Sequence, residues 1–264
     1  MNKIYYKAFI IVVGLLCATS PAYAYTYDQL LSMLHNADAY TRGMAAQGLG
    51  DSGDQAAGPV LLHALTTDAS TYVQGQAARA LGKLNYQKAI PDLIHALFER
   101  KKDLTGYAAE ALGQLKAQGA VVPLERVLNN TEENENRHTE ESTDNRSWLN
   151  YSIQDRSNAA DALGRIGDQK AANALIKNLQ DPNYIIRLHC VLALGALGNP
   201  ASYDAVKALL NDANPRIQDA AKIALNAIPP PTTQQTNYYN SLKRADYSKY
   251  QTVITRSVFN PNSR

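Results

Sequence analysis

Small apolar and polar residues recur along this chain in a block of nearly constant form, about every 31 residues. The second copy reads Ala77-Ala78-Arg79-Ala80-Leu81-Gly82, in which small or apolar residues frame a single polar one. The other copies keep this frame closely, and the five copies end at Gly50, Gly82, Gly113, Gly164 and Gly195. The interval between the third and fourth of these glycines is about 20 residues longer than the others. A constant period of this size indicates stacked supersecondary units.

Each copy predicts two helices. The first helix of the second copy carries one apolar stripe at helical spacing, formed by Val73, Ala77, Ala80, Leu81 and Leu84. The second helix carries another, formed by Ile90, Leu93, Ile94 and Leu97, and Pro91 lies in its first turn, where a missing N–H costs nothing. Neither helix can bury its stripe alone, so neighbouring pairs must stack. The pattern predicts an all-α fold, an α-solenoid of about five and a half helical hairpins.

The repeat resembles a known family. The fourth copy places the residues of its motif at Arg156, Ala159, Ala160, Ala162, Leu163, Gly164, Ile166, Gly167 and Asp168. The second copy adds the following helix, Ala89-Ile90-Pro91-Asp92-Leu93-Ile94. In these residues the chain resembles HEAT-like repeats of the phycobilisome-lyase type, over roughly residues 28–228. The resemblance implies an α-solenoid whose second helices line the concave face. It leaves the activity open, because such repeats serve many functions.

The first 24 residues have the pattern of a secretory signal. Lys3 and Lys7 precede a short apolar run, and Ala22-Tyr23-Ala24 has the form of a cleavage site. We expect cleavage after Ala24, no stable membrane insertion afterwards, and a periplasmic or secreted protein. A lipoprotein modified at Cys17 and an uncleaved anchor are the alternatives.

Three parts follow the signal. Residues 25–228 form the predicted solenoid, residues 129–152 an acidic insertion in it, and residues 229–264 a tail expected to be extended or disordered. The insertion holds six acidic residues and two arginines, a balance of −4, whereas the tail holds five basic residues and Asp246, a balance of +4. One hypothesis is that these charges draw the tail back along the solenoid. The alternative is that both segments are solvated, because exposed ion pairs are weak and screened by salt.

Charge and cysteine usage narrow the functional classes. The chain has a formal charge of +2, and removal of the two signal lysines brings it to zero. Net charge therefore gives no support for a nucleic-acid partner. Only Cys190 remains after cleavage, so an intrachain disulfide is impossible.

One outward position of the second helices carries titratable or cationic side chains. We call this set the cationic ridge: His63, His95, Arg126 and Lys177. Its fifth copy is Ala208. The ridge predicts docking of an acidic peptide or another anionic ligand, and the alternative is an ordinary solvated face. Trp148, near the end of the insertion, either anchors that loop on the fourth repeat or binds a partner.

Other recurring polar residues predict structural roles. Arg42, Arg156 and Arg187 share one position, and Asp68, Asp181 and Asp212 precede helices; we expect hydrogen bonds and caps that fix the stacking. Cys190 occupies a slot that is alanine in four other copies, which predicts a buried small side chain.

No motif in the chain points to chemistry. Deoxyhypusine hydroxylases, which share the repeat architecture, bind iron through His-Glu pairs, and this chain has no His-Glu dipeptide. The sequence therefore predicts no catalytic residue, metal or cofactor. Our leading hypothesis is a non-enzymatic protein-binding or scaffold protein of the bacterial cell envelope, with its partner on the concave face. The alternative is a lyase-like or cofactor-handling enzyme of the phycobilisome-lyase group. Partner identity and oligomeric state stay open.

Overall fold

A computed structural model describes residues 25–99, 101, 103–130 and 151–232. This part of the chain holds twelve α-helices and no strand: α1 (Tyr27–Met33), α2 (Ala39–Asp51), α3 (Gly58–Thr67), α4 (Thr71–Lys83), α5 (Ile90–Ala96), α6 (Leu104–Gln114), α7 (Val121–Asn129), α8 (Ile153–Ile166), α9 (Ala172–Lys177), α10 (Tyr184–Leu197), α11 (Tyr203–Ala208) and α12 (Pro215–Ala227). The even-numbered helices have 11–14 residues and form one layer, the long layer. The odd-numbered helices have 6–10 residues and form the short layer. The predicted all-α solenoid is confirmed: α1 stands alone, α2 to α11 make five pairs, and α12 is the remaining half.

Short polar residues and prolines set the helix boundaries. The Asp38 side chain accepts a hydrogen bond from the Thr41 N–H at the start of α2, and Asn214 does the same for Arg216 in α12. Ser152 and Asp155 form a reciprocal capping box at the start of α8. Helix α12 ends at Ala227, just before the run of prolines that begins at Pro229 and cannot continue a helix.

The glycine of each block lets consecutive long helices approach to backbone contact. A Cβ atom added to Gly50 would lie 2.7 Å from the Cα of Ala80 on the next long helix, closer than carbon atoms tolerate. The same contact occurs five times, between Gly50 and Ala80, Gly82 and Ala111, Gly113 and Ala162, Gly164 and Ala193, and Gly195 and Ala224. The recurring Ala-Leu-Gly sequence therefore encodes the spacing of the array.

A ladder of glutamines joins each pair to the next. The side-chain amide of Gln169 donates to the Leu197 carbonyl at 2.9 Å, and Gln118 donates to the Ile166 carbonyl at 3.2 Å. Gln55 and Gln87 make the equivalent bonds to Leu84 and Leu115. These amides satisfy carbonyls at the ends of long helices that have no partner within the helix. The sequence interpretation missed this ladder, although the four glutamines lie ten residues after the first alanine of their blocks.

The predicted structural role of the arginines is confirmed. Arg42 donates two hydrogen bonds to Asp68 at 2.8 and 2.9 Å, and Arg187 binds Asp212 in the same way at 3.0 and 2.9 Å. Arg156 reaches Asp181 at 2.6 Å. The hydrogen bonds from arginine hold the pKa of Asp68 and of Asp212 below the usual range. Each aspartate also accepts a backbone N–H two residues later, from Ser70, Asn183 or Asn214.

The insertion leaves and rejoins the array at one point. The Tyr151 N–H donates to the Asn130 side chain at 2.8 Å, so the two ends of the segment meet. The contact between Gly113 and Ala162 spans the insertion, and α6 packs against α8 as closely as its counterparts do. The predicted signal, most of the insertion with Trp148, and the tail after Thr232 lie outside the described residues.

Candidate partner-binding surface

The third position of each block, together with that of a sixth, degenerate copy at residues 221–226, forms a continuous line across the long layer. We call it the central row, and it consists of Gln47, Arg79, Glu110, Asp161, Leu192 and Ile223. These side chains are exposed or half-buried, whereas the block residues on either side of nearly all of them are buried. Because long helices pack side by side, one residue per helix faces solvent next to the equivalent residue of its neighbour.

The first half of the central row is polar and internally paired. Arg79 on α4 lies 3.1 Å from the Glu110 carboxylate on α6, and its guanidinium stacks over the Tyr107 ring at 4.6 Å. Gln114, one turn further along α6, donates to the other Glu110 oxygen at 3.2 Å. These contacts hold the Glu110 carboxylate in one orientation at the surface.

A small cleft of about 80 Å³ lies beside Glu110, between α6 and α8. It is lined by Glu110, Asn158, Asp161, Ala162 and Arg165. Asn158 donates to the Gly106 carbonyl at 3.1 Å and closes one end of the gap between the helices. Two carboxylates and a guanidinium therefore face the same opening.

Asp161 also pairs with a histidine that the sequence interpretation did not single out as a partner. The His189 Nδ1 atom on α10 lies 2.7 Å from Asp161 Oδ1, and both side chains are partly exposed. The two residues are 28 apart in the sequence and meet because stacking places one copy against the next. In the sequence, this pair is indicated only by the repeat, because stacking brings equivalent parts of consecutive copies together.

The other end of the central row is apolar. Leu192 on α10 is 44% exposed and Ile223 on α12 is 65% exposed, although both are large hydrophobic side chains. Ala196 and Ala227 are exposed one turn further along the same helices, and Leu188 is half-buried one turn before Leu192. An apolar patch built from one register position on adjacent helices is typical of a docking surface.

Tyrosines extend the surface in the direction of α2. The rings of Tyr40 and Tyr72 stack with a centroid distance of 6.2 Å and an angle of 7°. The Tyr72 ring occupies the space over Gly43, and the Tyr107 ring occupies the space over Gly75. Burial, together with the neighbouring tyrosines, raises the pKa of Tyr72. Gly43 and Gly75 therefore leave room for an aromatic ring of the next long helix to pack against the backbone.

The cationic ridge lies on the other layer. His63, His95 and Lys177 are exposed on α3, α5 and α9, and Arg126 is half-buried on α7. His95 lies 3.7 Å from Glu99, one turn later, and the Glu99 carboxylate also pairs with Lys101 at 2.5 Å. The ridge stays a prediction, as does the role of Trp148.

The spacing of the two layers bears on which of them is concave. Consecutive long helices contact each other along most of their length, whereas consecutive short helices contact each other at few points. Closer spacing shortens one side of a stacked array, and small per-repeat rotations then curve it. This spacing favours the long layer as the concave side. The family resemblance had instead implied that the second helix of each pair, which belongs to the short layer, lines the concave face.

The candidates for chemistry have structural explanations. Cys190 is fully buried, as predicted, and burial raises the pKa of its thiol far above that of a reactive cysteine. Among the described residues, no group of three or more His, Cys, Asp or Glu side chains is arranged to hold a metal ion. In the same part of the chain, no helix has the length and apolar character that a membrane span requires.

Comparisons with known proteins agree with this architecture. A family model described as HEAT repeats matches residues 27–105, 58–142 and 149–226. A comparison with curated proteins gives no match. A chain from the complex of CpcE and CpcF of phycocyanin lyase from Nostoc sp. PCC7120 is 24% identical, with a TM-score of 0.58, and the match covers 80% of this chain and 79% of that one.

Two designed armadillo repeat proteins have the same fold. One is 19% identical over 77% of this chain and 100% of its own, with a TM-score of 0.53. The other, solved in complex with the peptide (KR)4, is 18% identical over 78% of this chain and 100% of its own, also with a TM-score of 0.53. At these identities the likeness shows the fold. The chain belongs to the HEAT-repeat family.

Proposed function

We propose that this protein is a non-enzymatic scaffold that binds a segment of a partner protein along the central row. HEAT and armadillo-like solenoids bind protein or peptide partners. The observation that carries the proposal for this surface is the exposure of Leu192 and Ile223 at equivalent positions on neighbouring helices. Large apolar side chains exposed in register are costly to leave in water and gain about 25 cal/mol per Å² when a partner covers them.

The chemistry of the central row defines the partner segment. Its apolar end offers burial to aliphatic or aromatic side chains, and its carboxylates, Glu110 and Asp161, offer charge-assisted bonds to lysine or arginine. The segment best suited to this surface presents apolar residues followed by basic ones. The cationic ridge would select the opposite, an acidic segment, so the two surfaces make different demands on the partner.

Matched surface variants test the choice between these faces. The first variant carries Leu192→Asp and Ile223→Asp, and the second carries serine at His63, His95, Arg126 and Lys177. Both are compared with the wild type for retrieval of partners from the cell-envelope fraction, after circular dichroism has established equal helicity. We expect the first variant to lose partners that the second retains. Retention by the first and loss by the second would move the docking site to the cationic ridge.

We further propose that the scaffold works in the cell envelope. The charged start, the short apolar run and Ala22-Tyr23-Ala24 in the first 24 residues support export. The competing hypothesis, a lyase-like or cofactor-handling enzyme, draws on the likeness to phycocyanin lyase, which at 24% identity carries the fold and not the activity. A purified protein with stoichiometric chromophore or metal would favour that hypothesis over the scaffold.

A further inference from the structure

The apolar end of the central row lies next to the point where the described chain ends. Ile223 is in the last turns of α12, and the buried Ile228 follows the helix directly. The chain then continues through Pro229 and Thr232 into the tail. A segment that begins beside a docking surface competes for it with an effective concentration on the order of millimolar.

Along the array, the central row changes character in a fixed order. Read from α12 toward α6, it presents Ile223, Leu192, Asp161 and Glu110, that is, two apolar residues and then two carboxylates. Packed helices are about 8–10 Å apart, so each step along the row covers about that distance.

The tail has the complementary order. Tyr238 and Tyr239 come first, and Lys243 and Arg244 follow four to six residues later. An extended chain rises about 3.3 Å per residue, so the aromatic and basic pairs are separated by roughly 13–20 Å, the distance of about two helices. Nine residues lie between Ile228 and Tyr238, and they are sufficient to reverse direction and return over Ile223, which is about one and a half turns of helix before Ile228.

We infer that residues 233–246 of the same chain bind back along the central row. Tyr239 and Lys243, which share one face of an extended chain, meet Leu192 and Asp161, and their neighbours Tyr238 and Arg244 flank the contact beside Ile223 and Glu110. Tyrosine suits this contact because its ring buries apolar area while its hydroxyl stays in water. The inference rests on the proposed function in one respect: the tail then occupies the surface that the partner needs.

Side chains that already pair with these carboxylates, or lie beside them, limit the electrostatic part of the contact. Arg79 accompanies Glu110, His189 accompanies Asp161, and Arg165 borders the cleft. The tail also carries an acid, Asp246, two residues after Arg244. This carboxylate can pair with Arg165, which is exposed beside the cleft. We therefore assign the position of the tail chiefly to the two tyrosines, with the charges setting its direction.

Disulfide trapping in the full chain tests the inference. One variant carries Ile223→Cys with Asn240→Cys, next to the two tyrosines, and its matched control carries Ala208→Cys with Asn240→Cys. Ala208 is also exposed and lies on α11, next to α12 but in the short layer. We expect the intramolecular disulfide at Ile223 to form at least tenfold faster than the disulfide at Ala208. Leu192→Asp in the same background should remove most of this difference.

The other outcomes overturn the inference. Equal rates at the two sites would mean that the tail does not select the central row. Disulfide-linked dimers that increase with protein concentration would assign the row to the tail of a second copy.

A separate measurement distinguishes a failure of the tail contact from a failure of the proposed function. Partner retrieval by a variant with Tyr238→Ser and Tyr239→Ser should rise when the tail and the partner share the central row. Selective trapping with unchanged retrieval would support the tail contact and contradict the proposed partner site.

Discussion

At the scale of single residues, the glycines that close each block set the geometry of the array. Glycine in a helix costs about 1 kcal/mol relative to alanine. The cost is offset here because five glycines admit the backbone of the next long helix. Nothing in the local sequence of one helix requires a glycine at this place. The requirement comes from the neighbouring copy, whose alanine occupies the space.

We predict that Gly50→Ala destabilises the fold by about 1–3 kcal/mol, because the new methyl group would meet the Cα of Ala80 at 2.7 Å and force two helices apart. Gly119→Ala is the matched control, since a Cβ atom there meets nothing within 4 Å. Urea unfolding of the two variants checks the prediction. Equal midpoints would refute the argument from close packing.

Asp212 gives a second prediction at this scale, for stability against pH. Its pKa is below the usual 3.8 because Arg187 donates hydrogen bonds to the carboxylate. A lowered pKa in the folded state adds stability that is present above the unfolded pKa of about 3.9 and is lost as pH falls through the folded pKa. The unfolding free energies of the wild type and Asp212→Asn should therefore differ most near pH 7 and converge below about pH 4.

The control for this prediction is Asp219→Asn. Asp219 pairs with Lys222 at 2.9 Å, but both side chains are more than 60% exposed. An exposed pair of this kind contributes little, so the control should follow the wild-type pH profile. A constant difference between the wild type and Asp212→Asn at every pH would contradict the role of the Arg187 contact.

At the scale of elements, the core lies between the long and the short helices, and both layers bury large leucines in it. Helix α8 illustrates the arrangement: Leu163 is completely buried, and the central-row residue Asp161, two positions earlier, faces solvent. The same helix closes the array across the insertion. Each long helix therefore combines a structural face and a potential binding face.

Leu163→Ala should cost about 2–5 kcal/mol, because it leaves a cavity between helices that are already in backbone contact. Leu192→Ala on the next long helix should change stability by no more than about 0.5 kcal/mol, since that side chain is 44% exposed. Hydrogen exchange should locate the loss of protection in α6, α8 and α10. Uniform loss over all helices would contradict the nearest-neighbour coupling of repeats.

At the scale of the whole molecule, the sequence was sufficient for the architecture and insufficient for the surface. Repeated apolar stripes predicted the helices, and the arginines and aspartates predicted the contacts between pairs. Helical period also placed the cationic ridge on an exposed position, but period alone does not say which layer is more closely spaced. That property depends on which small residues meet across helices, as Gly164 and Ala193 do. The pairing of Asp161 with His189 was missed for the same reason.

The proposal of export gives a prediction at the scale of the whole molecule. The mature chain should begin at Tyr25, because cleavage of the first 24 residues follows Ala22-Tyr23-Ala24. Intact mass of the protein from the envelope fraction checks this directly. A lipid at Cys17, or a chain that retains Met1, would contradict it.

The Arg–Asp bridges have a mechanical consequence. They occur at the first pair and again at the last two, but the second and third copies carry Gln74 and Thr105 at the same position. There the links are neutral or singly charged hydrogen bonds of 3.3 Å, from Lys101 to Gln74 and from Thr105 to the Leu97 carbonyl. Such bonds are weaker than those between a guanidinium and a carboxylate. At this position the copies in the middle of the array are therefore joined less strongly than those at its ends, and between α4 and α6 the guanidinium–carboxylate link moves to the exposed face of the long layer, as Arg79 with Glu110.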